Sequence, residues 1–391
     1  MAILVLAPTL KTPSGHDHAF CTELIRYAGL SNVRILASEK FQPEPELSAL
    51  PFFSVDPYEY RWIQREAKQS LPWKALLRSA AEDLKKIDFA PYEKVIFHTA
   101  DPIYLAALSR SISRFNGIFY LGFMLPPSFW FRKTIGRRLA AVASDLAIRS
   151  LKRKTKVIIY SETGAIRFDH RSFKCLLKLP PVQSIESSVS ASYGATRENA
   201  SLPVEQTSDG SDRPKIGFFG APFDDKGFQI LLKLAEHPEI RSRFQIKVFL
   251  PPGQQELVEK INASGDAMWA NSENRDVPTY FGCMASIDLV YTLYSPLAYK
   301  DRMSGIVQDA LLAGKPLLVT SDCDEMRQFI DRIAPGAHFH ADYSVIGAAN
   351  SLALAIENLG DLSKRARQGA EKIRKLKTFE AYFNPSDEDP S

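Results

Sequence analysis

The chain has 391 residues, a formal net charge of +4, and a composition that is 45% hydrophobic and 24% charged. That length exceeds one ordinary domain and suits two α/β domains, while so small a net charge excludes a polyelectrolyte that works by bulk attraction to nucleic acid. The four cysteines, Cys21, Cys175, Cys283 and Cys323, are far apart with no CxxC pair, which fits core thiols in a reducing compartment rather than a disulfide scaffold.

Residues 2–7 form an apolar run without a preceding basic region, followed at once by Pro8; this reads as a first strand and not as a signal peptide. No apolar run approaches the roughly 20 residues of a spanning helix. The chain is therefore expected to be cytoplasmic, touching a membrane only at its surface. The loop after this strand carries Gly15 and His16, and a helix opens near Asp17. In open α/β sheets such loops face the ligand, and a glycine there permits close backbone approach. His16-Asp17-His18 invites a metal reading, but the alternation lies in a loop with no further ligand in view, so no metal is assigned there.

Residues 33–37 read as the second strand, and residues 58–86 as two helices broken at Pro72. The run from Lys94 is a strand delivering His98 and Asp101 at its C-terminal end, with Pro102 in the first turn of the next helix. Residues 117–125 and 155–162 give two further strands. Between them, residues 129–156 are unusual. Phe129, Trp130 and Phe131 precede nine basic residues in 132–156, against the single acid Asp145. Ile135, Leu139, Val142 and Leu146 repeat at helical spacing and are expected to face the sheet. Basic residues with aromatics suit an anionic membrane surface; nucleic acid is not expected, because no recognised binding module surrounds the segment.

Residues 184–214 are rich in Ser, Thr, Glu and Asp and read as a flexible linker. They separate a domain at 1–183 from one at 215–360, with 361–391 left as a closing helix and an acidic tail expected to be disordered. Residues 215–220 open the second half as a strand ending at Gly220. Its loop carries Asp224, Asp225 and Lys226-Gly227 ahead of a helix at 228–235. The acid pair reads as loop solvation or charge at a helix N-terminus. Residues 245–250 form a strand, 277–286 a short helix, and 287–294 and 317–320 buried strands. Between the last two, Ile306, Ala310, Leu311 and Ala313 repeat at helical spacing, with Ser304-Gly305 at the start of that helix and Gly314 at its end. A helix start at a strand end favours an anion such as a phosphate. Asp301 lies just before the helix. Asp309 lies two turns further on, too far to serve a phosphate but suited to a hydroxyl pair such as a ribose diol. Thr320, Ser321 and Asp322 read as the cap of the following helix.

This order of motifs resembles the family-4 glycosyltransferases, retaining enzymes of the GT-B fold. The family's two acids, seven residues between them, then small residues and Gly-x-Pro, correspond to Asp301, Asp309 and Gly314-Lys315-Pro316. Both acids are Glu in the family and Asp here. The family's strand, Gly-Arg loop and Lys-Gly helix correspond to Gly220, Ala221 and Lys226-Gly227, with alanine in place of the arginine. The resemblance implies an α/β GT-B architecture, two Rossmann-like lobes facing a central cleft, with residues 379–383 packing back on the first lobe. It implies a nucleotide-sugar donor, a glycan or lipid-linked acceptor, a role in cell-surface polysaccharide synthesis, and no bound metal or other cofactor. Lys226, Gly220, Ser304 and Gly305 would hold the donor diphosphate and Asp309 the ribose. Asp301, Lys226 and His98 would form the catalytic group, and Gly15, His16 and Asp101 would line the acceptor side. The alternative is a GT-B-shaped protein that binds a nucleotide sugar or a partner without turnover. A nicotinamide enzyme is disfavoured, since no GxGxxG occurs: the first loop has only Gly15, and Gly217 and Gly220 are wrongly spaced.

Overall fold

The computed structural model describes residues 2–12, 15–44, 47–57, 59–60, 72–123, 134–161, 165–168, 171–174, 176–177, 213–265, 267–273, 277–300, 302–376 and 378–384. Most of the helix expected from residue 58, the aromatic run at 129–131, Cys175, nearly all of the linker, Asp301 and the acidic tail lie outside the described residues. The chain divides into two compact units, Met1–Gln183 with Leu376–Ser391, and Ser184–Lys375.

The first unit is built on a seven-stranded sheet of β1 (Ile3–Ala7), β2 (Val33–Ser38), β3 (Ala49–Phe53), β4 (Lys94–Phe97), β5 (Ile118–Phe123), β6 (Lys156–Ser161) and β9 (Leu176–Leu177), in the order β3-β2-β1-β4-β5-β6-β9. All these pairs are parallel; Val5, for instance, lies between Ile35 and Ile96. A parallel sheet is covered on both faces, so its strands are apolar throughout rather than alternating, and every residue of β1 is buried. The strands β7 (Ala165–Phe168) and β8 (Arg171–Lys174) form a separate antiparallel pair. The helices are α1 (Gly15–Ala28), α2 (Trp73–Lys85), α3 (Pro102–Ser111) and α4 (Thr134–Lys152). The short α14 (Phe379–Phe383) belongs to this unit. Its rings pack on Phe20, Tyr27 and Tyr120, and the Tyr120 hydroxyl donates to the Phe383 carbonyl at 3.3 Å. On α4 the expectation is reversed. Ala140, Ala141, Ala147, Ile148 and Leu151 enter the core, whereas Leu139, Val142 and Leu146 are exposed. Alanines at 140, 141 and 147 let the helix sit close to α3, Ile148 and Leu151 fill the remaining core, and Leu139, Val142 and Leu146 are left outside.

The second unit holds β10 (Lys215–Phe219), β11 (Gln245–Leu250), β12 (Met268–Ser272), β13 (Leu289–Thr292), β14 (Leu317–Thr320) and β15 (His338–Ala341), ordered β12-β11-β10-β13-β14-β15 and again parallel. Its helices are α5 (Phe228–Glu236), α6 (Pro238–Arg243), α7 (Gln255–Asn262), α8 (Val277–Ala285), α9 (Pro296–Tyr299), α10 (Gly305–Leu312), α11 (Asp324–Ile333), α12 (Val345–Glu357) and α13 (Leu359–Leu376). The cap expected from Thr320 to Asp322 is not formed by them. Cys323 is the N-cap residue of α11 and makes no side-chain cap, while Thr320 ends β14 and its hydroxyl donates to the Tyr294 carbonyl at 2.6 Å. In each sheet the strand order reverses beside the unit's first strand, between β1 and β4 and between β10 and β13. Loops leaving the two strands of such a pair diverge and open a crevice at their C-terminal ends.

Candidate functional site

In the second unit that crevice is marked by Gly220, directly after β10. Its φ of 108° is a backbone state that side chains rarely adopt, and a Cβ built there would lie 2.9 Å from Lys226 Nζ. The lysine ammonium is thus folded back over the strand end. A short 3-10 turn, Asp224–Lys226, and the left-handed Gly227 that caps α5 bring it there. Gly227 is locked in turn, since its carbonyl accepts from the Tyr291 hydroxyl at 2.9 Å. Burial pushes the Lys226 pKa below that of an ordinary lysine; Asp225 opposes the shift, and the positive charge of Arg302 adds to it.

Arg302 is the residue that motif reading missed. It lies just ahead of α10, with its guanidinium 4.7 Å from the centre of the Tyr299 ring, a ring packed 4.5 Å from that of Tyr294. Ser304, the N-cap residue of α10, has an extended backbone and no side-chain cap bond. Its hydroxyl donates to the Tyr294 hydroxyl at 3.4 Å instead. Gly305 opens the helix without a side chain, and its amide and that of Ile306 precede the first bond back to the Ser304 carbonyl, which Val307 makes at 3.1 Å. Two cations and a helix start therefore gather beside the end of β10. Asp309 is half-buried one turn beyond Gly305 on the same face. Its carboxylate accepts from the Tyr280 hydroxyl at 3.0 Å, and the Tyr280 ring meets Phe219, the last residue of β10, edge-on at 5.6 Å. Burial and the neighbouring Asp309 charge hold the Tyr280 hydroxyl protonated, well above the usual tyrosine range. Gly220, Lys226, Ser304, Gly305 and Asp309 are thus brought to one side of one sheet, and Asp301 lies outside the described residues.

In the first unit the corresponding ends are those of β1 and β4. Gly15 begins α1, followed by His16. Asp17 accepts from the Thr9 hydroxyl at 2.6 Å and the Thr99 hydroxyl at 3.0 Å, which ties the start of α1 to both strands. Two of the expected residues, His98 and Asp101, are closed off from solvent here. His98 is fully buried, stacked on Phe20 with ring centres 4.0 Å apart, its Nε2 3.8 Å from Asp17. Asp101 is also fully buried. It caps α3 through the amides of Ile103 and Tyr104 at 2.9 and 3.2 Å, and it accepts from Tyr60 at 2.8 Å. Burial raises the Asp101 pKa to about 6. Polar residues at a strand end look alike in sequence whether they face a ligand or hold a helix; Asp101 holds the start of α3, and His98 packs against α1. Lys11 pairs with Asp56 and lies 3.9 Å from Glu59, which also pairs with Lys40. That charged group beyond β1, β2 and β3 had no signal in spacing. Among the described residues no cluster of three or more His, Cys, Asp or Glu side chains is arranged to hold a metal ion.

No protein-family model and no curated protein matches the chain. Solved structures do. An α,α-trehalose-phosphate synthase (UDP-forming) from Burkholderia xenovorans, in complex with glucose-6-phosphate, superposes with a TM-score of 0.63 at 10% identity over 98% of this chain and 99% of its own. A trehalose-6-phosphate synthase studied for glycosyl transfer with retention gives 0.63 at 10% identity, covering 98% of both chains. The sucrose-phosphate synthase of Thermosynechococcus elongatus gives 0.55 at 13% identity over 97% of this chain and 96% of its own. The fold is GT-B. Likeness at such identities is likeness of fold, and GT-B here means two Rossmann-like units, each with its strand-order reversal beside its first strand. Function has to come from the site.

Proposed function

We propose that this GT-B chain is a retaining glycosyltransferase that moves a sugar from a nucleoside diphosphate donor to a sugar acceptor. The observation that supports it is that two cations, Lys226 and Arg302, lie near enough for the charge of one to act on the other, with Arg302 just ahead of α10. Breaking the bond between the anomeric carbon and the diphosphate leaves negative charge on the leaving group. In this reading Lys226, Arg302 and the first amides of α10 face that charge, and such preorganised stabilisation is usually the largest contribution to catalysis. Arg302 here supplies the second cation that Ala221 does not. With two side-chain cations and a helix start on the diphosphate, the reading assigns no metal to the reaction. Asp309, oriented by Tyr280, takes the ribose diol. Asp301 orients the donor sugar on the strength of its sequence position, and a leaving phosphate oxygen receives the acceptor proton.

The acceptor side belongs, in this reading, to Gly15 and His16, with Asp17 fixing the start of α1 and His98 acting behind it. The similar solved structures differ in what they are named for, one being a trehalose-phosphate synthase in complex with glucose-6-phosphate and another a sucrose-phosphate synthase, so the fold alone does not choose. We assign a glycan or lipid-linked acceptor of cell-surface polysaccharide synthesis, used in the cytoplasm at the inner face of the membrane. What supports that choice is the basic composition of residues 129–156. A second reading, a GT-B nucleotide-sugar-binding protein without turnover, is favoured by Ala221 and by the burial of His98 and Asp101.

The test is a panel of nucleoside diphosphates and nucleotide sugars scored by thermal stabilisation, followed by donor turnover. A ligand that binds only the folded chain raises its melting temperature by mass action. Stabilisation with turnover supports the transferase, and stabilisation without turnover supports the binding protein. Indifference to every nucleotide overturns both.

A further inference from the structure

The outer face of α4 carries three large apolar side chains in solvent: Leu139 is 65% exposed, Val142 57% and Leu146 61%. At spacings of three and four they form one line along the helix. The opposite face is anchored by Ala140, Ala141, Ala147, Ile148 and Leu151, so the line is not core left over by poor packing. It is edged by positive charge. Arg149 pairs with Asp145 one turn back at 2.8 Å, and Lys152 and Arg153 are exposed where the helix ends. Lys154 is not part of this edge, because its ammonium donates to the carbonyls of Ser109 and Ile112. The sequence adds Arg132, Lys133, Arg137 and Arg138 just before the line.

An apolar line bordered by cations has few partners that satisfy both parts. A second copy docked line to line would set Lys152 and Arg153 against their own counterparts if parallel, and against the equally basic stretch before the line if antiparallel, and like charges brought together oppose association. A nucleic acid would satisfy the cations but leave aliphatic side chains against phosphates, with no aromatic platform for bases among them. An anionic bilayer satisfies both. Its acyl boundary receives the leucines and valine, and its headgroups receive the cations, as for a helix lying in the interface. No helix among the described residues is long and apolar enough to cross a membrane, so the contact meant here is with the surface.

We propose that the outer face of α4 docks on an anionic phospholipid surface, with Leu139, Val142 and Leu146 inserted at the headgroup–acyl boundary. This stands on the exposure of α4 and holds whether or not the chain transfers a sugar.

The experiment is flotation of the full chain with phosphatidylcholine vesicles, with and without phosphatidylglycerol. It uses the wild type, the triple variant Leu139→Ser, Val142→Ser, Leu146→Ser, and the pair Lys152→Gln, Arg153→Gln. All five positions are exposed, so the fold is expected to survive. An unchanged far-ultraviolet spectrum and thermal melt identify folded variants, and single serine substitutions replace the triple if it melts early. The expected result is flotation of the wild type that depends on phosphatidylglycerol and weakens with salt. The triple variant should lose about tenfold or more of the bound fraction, and the charge pair should lose less. A wild type that stays with the buffer, or a folded triple variant that floats as well as the wild type, overturns the proposal. Equal flotation on purely zwitterionic vesicles overturns its electrostatic half. A wild-type dimer that the triple variant converts to monomer, with no vesicle effect, assigns the line to a second copy instead.

Discussion

Lys226 Nζ stands in the space that a side chain on Gly220 would need, 2.9 Å from a Cβ built there. The glycine is therefore tied to the ammonium, and not merely to a turn. Gly220→Ala should push Nζ off the strand end and cut nucleoside diphosphate affinity about tenfold or more, at a backbone cost of roughly 1–3 kcal/mol for a side chain at that φ. Gly227→Ala makes the contrast. Its Cβ would lie 2.1 Å from the Leu293 carbonyl at a φ of 68°, so backbone must move and stability should fall further than in Gly220→Ala. Calorimetric affinity and urea melts measured on both variants separate the two effects. Equal affinity for Gly220→Ala and wild type would remove the link between glycine and ammonium.

The two cations should act on one ligand. Charge-assisted hydrogen bonds contribute about 1.5–3 kcal/mol each, so Lys226→Ala and Arg302→Ala should each weaken nucleoside diphosphate binding by roughly tenfold to a hundredfold. Groups on a shared partner are coupled, and the double variant should lose less or more than the sum of the singles. Nucleosides lacking phosphate should bind all four proteins alike. Unchanged diphosphate affinity in Arg302→Ala would return Arg302 to a purely structural role on Tyr299.

Asp309 and Tyr280 make a separable claim. Tyr280→Phe deletes the hydroxyl that donates to Asp309 at 3.0 Å and leaves the ring on Phe219. It should weaken nucleoside diphosphates by a few fold to about tenfold, in keeping with one hydrogen bond, and leave inorganic pyrophosphate unaffected. Asp309→Asn should do the same more strongly. If pyrophosphate binding falls in parallel, the carboxylate serves the phosphate end and the ribose assignment is lost.

Much of this site could be read from spacing because it depends on backbone chemistry. Ser304-Gly305 does open α10, and Gly314 does follow its end with a φ of 65°, since a helix start needs a cap position and its stop tolerates a left-handed residue. The strands at Lys215, Gln245 and Leu317 were legible as apolar runs bounded by turns. Three features were not. Arg302 has no periodicity of its own, and only the Tyr294–Tyr299 platform gives it a place. The line on α4 has the right spacing for a core face, but periodicity does not say which face is covered, and the face of Ala140, Ala147, Ile148 and Leu151 is the covered one. His98 and Asp101 sit where strand-end chemistry is expected, and Phe20 and Tyr60 closed over them.

Asp101 gives the pH prediction. Burial moves its pKa from an ordinary 3.8 to about 6, against the lowering effect of the Tyr60 hydroxyl and two amides. A carboxyl raised on folding stabilises the fold in its neutral form. That contribution is fully present below about pH 4 and is lost as pH rises through about pH 6. The shift corresponds to roughly 3 kcal/mol across the window. Asp101→Asn keeps an oxygen to cap α3 and cannot ionise, so its stability should lack this slope. Urea melts of wild type and variant should therefore diverge across the window, the wild type losing ground as pH rises, and run parallel above it. Parallel curves throughout would mean that Asp101 ionises in the fold as it does in water, and that α3 is capped by a charge after all.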